Sequence, residues 1–432
     1  MANTKAPKPK LRDEKVGFKP RARLLLLLGD QLIRDPGIAV FELVKNAYDA
    51  DSPDAAVTMS QMTEPDLGQI VVEDSGTGMD FETVTDVWLE PGTDYRLQQR
   101  AQGITTARFH RVPIGEKGVG RFAAHKLGHR VRMITRREHH PEVLVDIDWK
   151  VDFAAKIYLD ELAIRVKERE PEHFRGRRTG TRIEITDLRN AWTKSMVRDL
   201  ARSINAICSP FDRGGEFTAG LVLNDHQDWL DGLLDTSKVL NYSLFRAECL
   251  LNGASLSYTY QFTPYPGMDR LKRRKIIRKG LPLKFRDGVI DLDTYNIGPA
   301  RVDLYIFDQD PRVLALAQLA DRKGLKDFLN ESGGVRVYRG GIRVYDYGER
   351  GNDWLGLGGR RVNVPSKRLS NNLILGAVSL DPEKSQNVEK QRGLIEKTNR
   401  EGFVENPLLS KTAFGTRPFG QGKQPRSLTL AA

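Results

Sequence analysis

With only two cysteines in 432 residues, Cys208 and Cys249, the chain has no disulfide framework to lean on, so a reducing, cytoplasmic setting is the simpler expectation. Long apolar runs are missing too. The most apolar one near the N-terminus, LLLLL at 24–28, is closed by Gly29, Asp30 and Gln31. It falls short of the roughly 18 residues of a membrane span and the ~7–15 of a secretory core, so it reads as a buried helix segment and neither membrane nor export is expected. The seven histidines are scattered apart from His139-His140, with no HExxH and no nearby cysteine, which leaves zinc chemistry without a signal. The phosphate-binding signature GxxxxGK[ST] is absent, and the glycines before the helix near 121 are not ordered GxGxxG, which removes the P-loop and dinucleotide-fold routes to a nucleotide. Acidic residues are in deficit, 57 against 68 basic, for a formal charge of +11. That excess suggests an anionic partner, nucleic acid first, with solubility or nucleotide phosphates as alternatives.

What remains is ordinary globular composition, 39% hydrophobic and 29% charged, enough for two or three domains with real cores. Residues 1–20 are rich in Lys and Pro and read as a disordered basic arm. From 21 to about 200 the patterning is mixed α and β: a helix over 22–34, a break at Asp35-Pro36-Gly37, a helix through FELVKNAYDA, a strand over 69–74, a long polar stretch at 91–113, a helix at RFAAHKLG, then strands around 130–150 and at TRIEITDL. A second, βαβ-rich unit spans about 201–405, with a strand at 300–310, a helix at VLALAQLADRKGLKDFL, and a hairpin over 335–348 turning at Gly340-Gly341. The tail 406–432 decays into Gly, Pro, Ser and Lys and is expected to be flexible.

Four stretches carry chemistry. In FELVKNAYDADS at 41–52, helical periodicity stacks Glu42, Asn46 and Asp49 on one stripe walled by apolar residues, the reverse of an ordinary surface helix, although acids on a partly exposed helix can align by chance. IVVEDSGTGMD at 70–80 runs a strand into Asp74-x-Gly76-x-Gly78, a carboxylate that can accept from an exocyclic amine with Met79 against the ring; a plain turn is the alternative. PIGEKGVGRFAAHKLG sets Gly115, Gly118 and Gly120 before a helix with Lys117 and Val119 in the same turn, so backbone N–H groups can surround phosphate oxygens, or simply cap a loose loop. RRTGTRIEITDL places Thr179 and Thr181 around Gly180 at a strand start, as base-reaching hydroxyls or as ordinary strand residues.

Taken in order, ExxxNAxDA, DxGxG, GxxGVG and GTxI resemble the ATPase domain of the GHKL superfamily: gyrase B subunits, ninety-kilodalton heat-shock chaperones, histidine kinases and MutL proteins. The resemblance covers about 21–190. It implies an α+β chain, a Bergerat-type α/β sandwich followed by a transducer-like domain, with ATP and Mg²⁺ as cofactors. Glu42 would be the general base orienting water, Asn46 the Mg²⁺ ligand, and Asp49 a support of the same pocket. Asp74 would read adenine, Gly76, Gly78 and Met79 would shape the base site, and Thr181 would complete the adenine contact. The 91–113 stretch would be the lid, with Gly115, Lys117, Gly118, Val119 and Gly120 around the phosphates. A γ-phosphate-reaching arginine of the chaperones resembles Arg400 in EKTNREGF, with Lys367 and Lys384 as rivals.

Within that superfamily the expectation is a hydrolysing ATPase that couples closure or dimerisation to work on a partner, in repair, defence or a chaperone-like role. A histidine kinase is the alternative, disfavoured because His139-His140-Pro141 sits between strands rather than on a helix hairpin and only a short arm precedes the domain. The chain ends soon after the transducer-like unit, so ATP itself, or another protein, is expected to drive pairing. Two features suit nucleic acid: the basic run at 268–288, and the hairpin, where period-2 alternation puts Arg336, Tyr338, Arg343 and Tyr345 on one face.

Overall fold

A computed structural model describes residues 15, 17–33, 35–92, 99, 102–115, 123–153, 157–211, 217–285, 288–319, 321–349, 351–358, 369–381, 386–387, 392–394 and 403. It holds two seven-stranded mixed sheets with helices packed on them. Of the basic arm only residues 15 and 17–20 are described, and the tail lies outside the described residues.

Helix α1 spans Arg23–Leu32 and α2 spans Pro36–Asp49. The break between them is a helix start: Asp35 caps α2 by accepting from Gly37 N at 2.7 Å, and Pro36 occupies the first turn, where its missing N–H costs nothing. The leucine run of α1 corrects one expectation. Leu25 and Leu26 pack on the core, but Leu24 and Leu27 stay 43% and 45% exposed. Five consecutive leucines wrap the whole circumference of a helix, and a helix lying on a surface can bury only one side.

The first sheet takes β1 (Asp54–Ser60), β2 (Gln69–Asp74), β3 (Gly128–Arg136), β4 (Glu142–Asp148), β5 (Arg165–Arg169), β6 (Gly180–Leu188) and β7 (Thr218–Leu223) in the order β5-β4-β3-β6-β2-β1-β7. All pairs are antiparallel except β1 with β7. Helices α2, α3 (Ala123–Leu127) and α4 (Lys194–Asn205) pack together over it. The expected boundary at 200 therefore moves: it falls inside α4, and β7 beyond it still completes the first sheet.

The second sheet takes β8 (Phe245–Asn252), β9 (Ser255–Phe262), β10 (Arg274–Pro282), β11 (Ala300–Ile306), β12 (Gly334–Arg339), β13 (Ile342–Val344) and β14 (Ile374–Leu380) in the order β10-β9-β8-β11-β14-β12-β13. Only β12 with β14 is parallel. The helix expected over 313–329 is two helices, Pro311–Leu316 and α5 (Arg322–Ser332). Gln318 adopts φ 54° and Asp321 caps α5 through Gly324 N, so the apolar periodicity runs across a break between two helices. The hairpin turns at Gly340-Gly341 as expected, both at positive φ. Among the described residues no helix is long and apolar enough to cross a membrane.

Candidate functional site

Helix α2 is apolar nearly all round: Val40, Phe41, Leu43, Val44 and Ala47 are each at most 3% exposed. Such a helix has to be covered on every side, and here the sheet, α4 and the β12–β13 hairpin share the task. Its polar line is divided among three tasks. Asn46 is exposed and opens onto a cleft of about 450 Å³. Asp49 is buried and accepts from Ile114 N and Gly115 N, each at 2.8 Å, clamping the start of the glycine segment to the helix. Glu42, two turns before Asp49, is 3% exposed with Lys45 Nζ 3.7 Å from its Oε1.

The cleft floor is the end of β2. Asp74 Oδ1 accepts from Gly76 N at 2.8 Å and Thr181 N at 3.3 Å, leaving Oδ2 with no hydrogen-bond partner among the described residues. Burial, with Asp54 and Glu73 adding like charge, pushes the carboxyl up to about 7 against the pull of those two N–H donors. Gly78, Met79, Thr181 and Ile183 line the cleft around it. The glycines here serve the chain more than a ligand. Gly78 sits at φ +63°, and a Cβ there would stand 1.8 Å from Arg136 O; at Gly180, φ +144°, it would meet Asp74 O at 2.1 Å. Gly76 is buried, and its carbonyl accepts from the Thr179 hydroxyl at 2.6 Å.

Several residues without a local sequence signal complete the site. The Thr135 hydroxyl accepts from Met79 N, lies 3.0 Å from Thr181 Oγ1 and donates to Gly180 O, tying three walls together from β3. At the rim, Val87 and Trp88 come from a wide turn of π-helix over Val84–Trp88, and Thr83 immediately precedes it. Arg137 also lines the cleft and pairs with Asp80 at 2.8 Å; burial works against the Asp80 carboxylate, but donors from Thr83 and Arg137 prevail and hold it down at about 2.

The base of the 91–113 stretch is docked rather than loose. Asp51, left-handed at φ 62° just past α2, accepts from Thr106 Oγ1, Arg108 N and Phe109 N. Arg111 is 5% exposed, donates to Tyr48 O and Ser52 O, and lies 4.3 Å over the rings of both Tyr48 and Phe109. Asp49, Asp51 and Ser52 of the DADS run thus hold backbone, and the repeated acid in the sequence was the signal for it.

Of the expected site residues, Asn46, Asp49, Asp74, Gly78, Met79, Gly115 and Thr181 converge on the cleft, while Glu42 and Gly76 are buried and are not among the residues that line it. Lys117, Gly118, Val119, Gly120, Arg400, Lys367 and Lys384 lie outside the described residues. The hairpin corrects the other expectation. Tyr338 and Arg343 are 0% and 1% exposed and Arg336 9%, because residues 206–211 cover that face: Tyr338 Oη donates to Ala206 O and Arg343 N to Ile207 O. It is an internal face, closed to nucleic acid. Among the described residues no cluster of three or more His, Cys, Asp or Glu could hold a metal.

Residues 35–181 match the family model described as histidine kinase-, DNA gyrase B-, and HSP90-like ATPase. The match begins at the N-cap of α2 and ends at Thr181, the residue whose amide holds Asp74. No curated protein matches the chain.

Proposed function

Since residues 35–181 are a GHKL-type ATPase domain, a type that binds ATP, we propose that the chain is a Mg²⁺-dependent ATPase whose nucleotide occupies the cleft beside α2. The observation that carries this reading is Asp74, fixed through one oxygen with the other unpartnered at the floor of an open cleft. An adenine amine would satisfy Oδ2, with Met79 and Gly78 against the ring and Thr181 held in place by Thr135. Asn46 offers an amide oxygen at the cleft, a hard donor suited to Mg²⁺, an ion that takes few protein ligands and keeps phosphate and water oxygens; bound there it would neutralise phosphate charge. Asp49 holds the amides of Ile114 and Gly115 at the start of the glycine segment, and the amides of Lys117, Gly118, Val119 and Gly120 that follow would face the phosphates.

Glu42 is the proposed water-orienting base, and Arg400 the proposed γ-phosphate contact from the second unit. That unit, from past β7 to about 405, would act as a transducer. Tyr48 Oη donates to Gly340 O at 2.7 Å, and Phe41 and Tyr345 stand 6.1 Å apart, so α2 already touches the β12–β13 hairpin at two points. Closure around ATP, with pairing of two copies or capture of a partner protein, would pass through those contacts.

The test is the fate of the γ-phosphate. Glu42→Ala is expected to keep ATP bound while phosphate release falls by roughly 10²–10⁴, the usual worth of positioned acid–base catalysis. Asn46→Ala should lose Mg²⁺-dependent affinity as well. Normal turnover in Glu42→Ala would remove the assignment of the base. Acid-labile, base-stable label on the wild-type protein after incubation with γ-labelled ATP would favour phosphotransfer to histidine over hydrolysis.

A further inference from the structure

Among the described residues a dense basic run lies on one edge of the second sheet. From Arg270 to Lys284 eight side chains are basic and none is acidic. Among the described residues none of these cations pairs with a carboxylate, whereas the arginines of the first sheet mostly do: Arg132 with Asp146, Arg169 with Glu142, Arg182 with Glu73. Every residue of β10 is exposed, and β10 is the terminal strand of its sheet. Unpaired lysine and arginine on an outer strand discourage strand-on-strand association, which accounts for the charge but not for what lies next to it.

Antiparallel register places Arg274 opposite Phe262, Ile276 opposite Tyr260 and Arg278 opposite Tyr258. Directly opposed residues share a face, so Tyr258 and Tyr260 form a half-exposed aromatic pair flanked by two guanidinium groups that meet no carboxylate, Arg274 lying 5.5 Å over the Phe262 ring and Arg278 donating to Ile277 O. Phe245 stacks behind Tyr260, with centroids 6.0 Å apart and planes 20° off parallel, which steadies that ring. Two rings spaced two residues along a strand stand about 6.8 Å apart, a spacing that lets successive unpaired bases each find a π-face while cations beside them meet the phosphates.

We propose that the β9–β10 face is a binding site for single-stranded nucleic acid, with Tyr258 and Tyr260 as the stacking platform and Arg274 and Arg278 as phosphate contacts. A duplex keeps its bases stacked within itself and would use only the charge. An anionic membrane fits less well, because of the exposed aliphatics of β10, Ile276 and Ile277 point to opposite faces and Leu281 follows only past the register shift between Arg278 and Leu281, so they form no continuous insertion surface. This inference is independent of the nucleotide reading.

The experiment is fluorescence anisotropy of the full chain with labelled oligothymidylate and oligouridylate of about 20 nucleotides, longer than the ~4–16 that one small domain covers. A duplex of equal length and phosphatidylserine vesicles run in parallel, across about 50–200 mM salt. Expected is tighter binding to one or both single strands than to duplex. Tyr258→Ala with Tyr260→Ala should weaken it at least about tenfold with the salt slope unchanged. Arg274→Glu with Arg278→Glu should weaken it and reduce the slope by about 1–2. Tyr258→Phe with Tyr260→Phe should retain affinity, and every variant should still unfold in a single cooperative transition. Equal affinity for duplex and single strand, unchanged affinity in the alanine variant, or binding to vesicles with none to oligonucleotides would each overturn the proposal.

Discussion

Helix α2 and the β12–β13 hairpin carry the same kind of sequence signal, a line of polar residues walled by apolar neighbours, and meet opposite fates. On α2 the line divides between an open cleft and loop backbone, with Asn46 left exposed. On the hairpin it is sealed, Tyr338 and Arg343 lying under residues 206–211 with Arg343 paired to Glu349. Periodicity says which residues share a face. Whether water reaches that face depends on a covering layer, and here that layer comes from more than a hundred residues away in the chain.

The contrast can be broken most forcefully at Tyr338. If the hairpin face is core, Tyr338→Ala should cost ~3–5 kcal/mol of stability, as large-to-small aromatic substitutions in cores do, read from urea or guanidinium unfolding. Nucleic-acid affinity should not change in whatever fraction stays folded. A stability change below ~1 kcal/mol would mean that the face is open after all.

Asp74 sharpens the other side. Asp74→Asn can keep both backbone donors on its carbonyl oxygen but turns an N–H₂ towards the ligand amine. ATP affinity should fall by ~1–3 kcal/mol in calorimetry, the cost of an unmatched buried donor. The pH dependence has a definite sign. The carboxyl lies near 7 in the ligand-free protein, above its ordinary 3.8, so the stability it contributes is full below its unfolded value and is lost as pH rises through about 7. An amine donor binds the ionised form, so ATP affinity should weaken up to about tenfold per pH unit below 7, flatten above it, and lose this dependence in Asp74→Asn.

The smallest expected effect lies where the two regions meet. Tyr48→Phe removes the bond to Gly340 O while keeping the ring beneath Arg111, and should cost ~0.5–1.5 kcal/mol in unfolding experiments. An equal loss in ATP turnover without a change in ATP affinity would mark the contact as part of closure.

Much of this was legible in the chain itself, for physical reasons. Strand 69–74 and the Gly340-Gly341 turn are local: a continuous apolar run between turn residues, and two residues able to take positive φ. The cleft residues were legible because their spacing is set by a single helix and a single strand end. The break at Gln318 was not, since an apolar period continues across it, and neither was the exposure of Leu24 and Leu27, since five leucines cannot say which of them faces the core. Thr135 and Arg111 act through partners distant in sequence, where no short pattern reaches.

Because Phe41 and Tyr48 sit seven residues apart on one side of α2 while Asn46 and Asp49 serve the other, that helix is a part with a fixed phase. A single residue inserted between Phe41 and Asn46 would rotate everything beyond it by about 100°, carrying Asn46 and Asp49 out of register with the cleft and Tyr48 away from Gly340 together. Substitutions along this stretch can be repaired by their neighbours. A change in its length cannot, so variation in natural or engineered versions should appear as exchange of side chains and never as insertion or deletion.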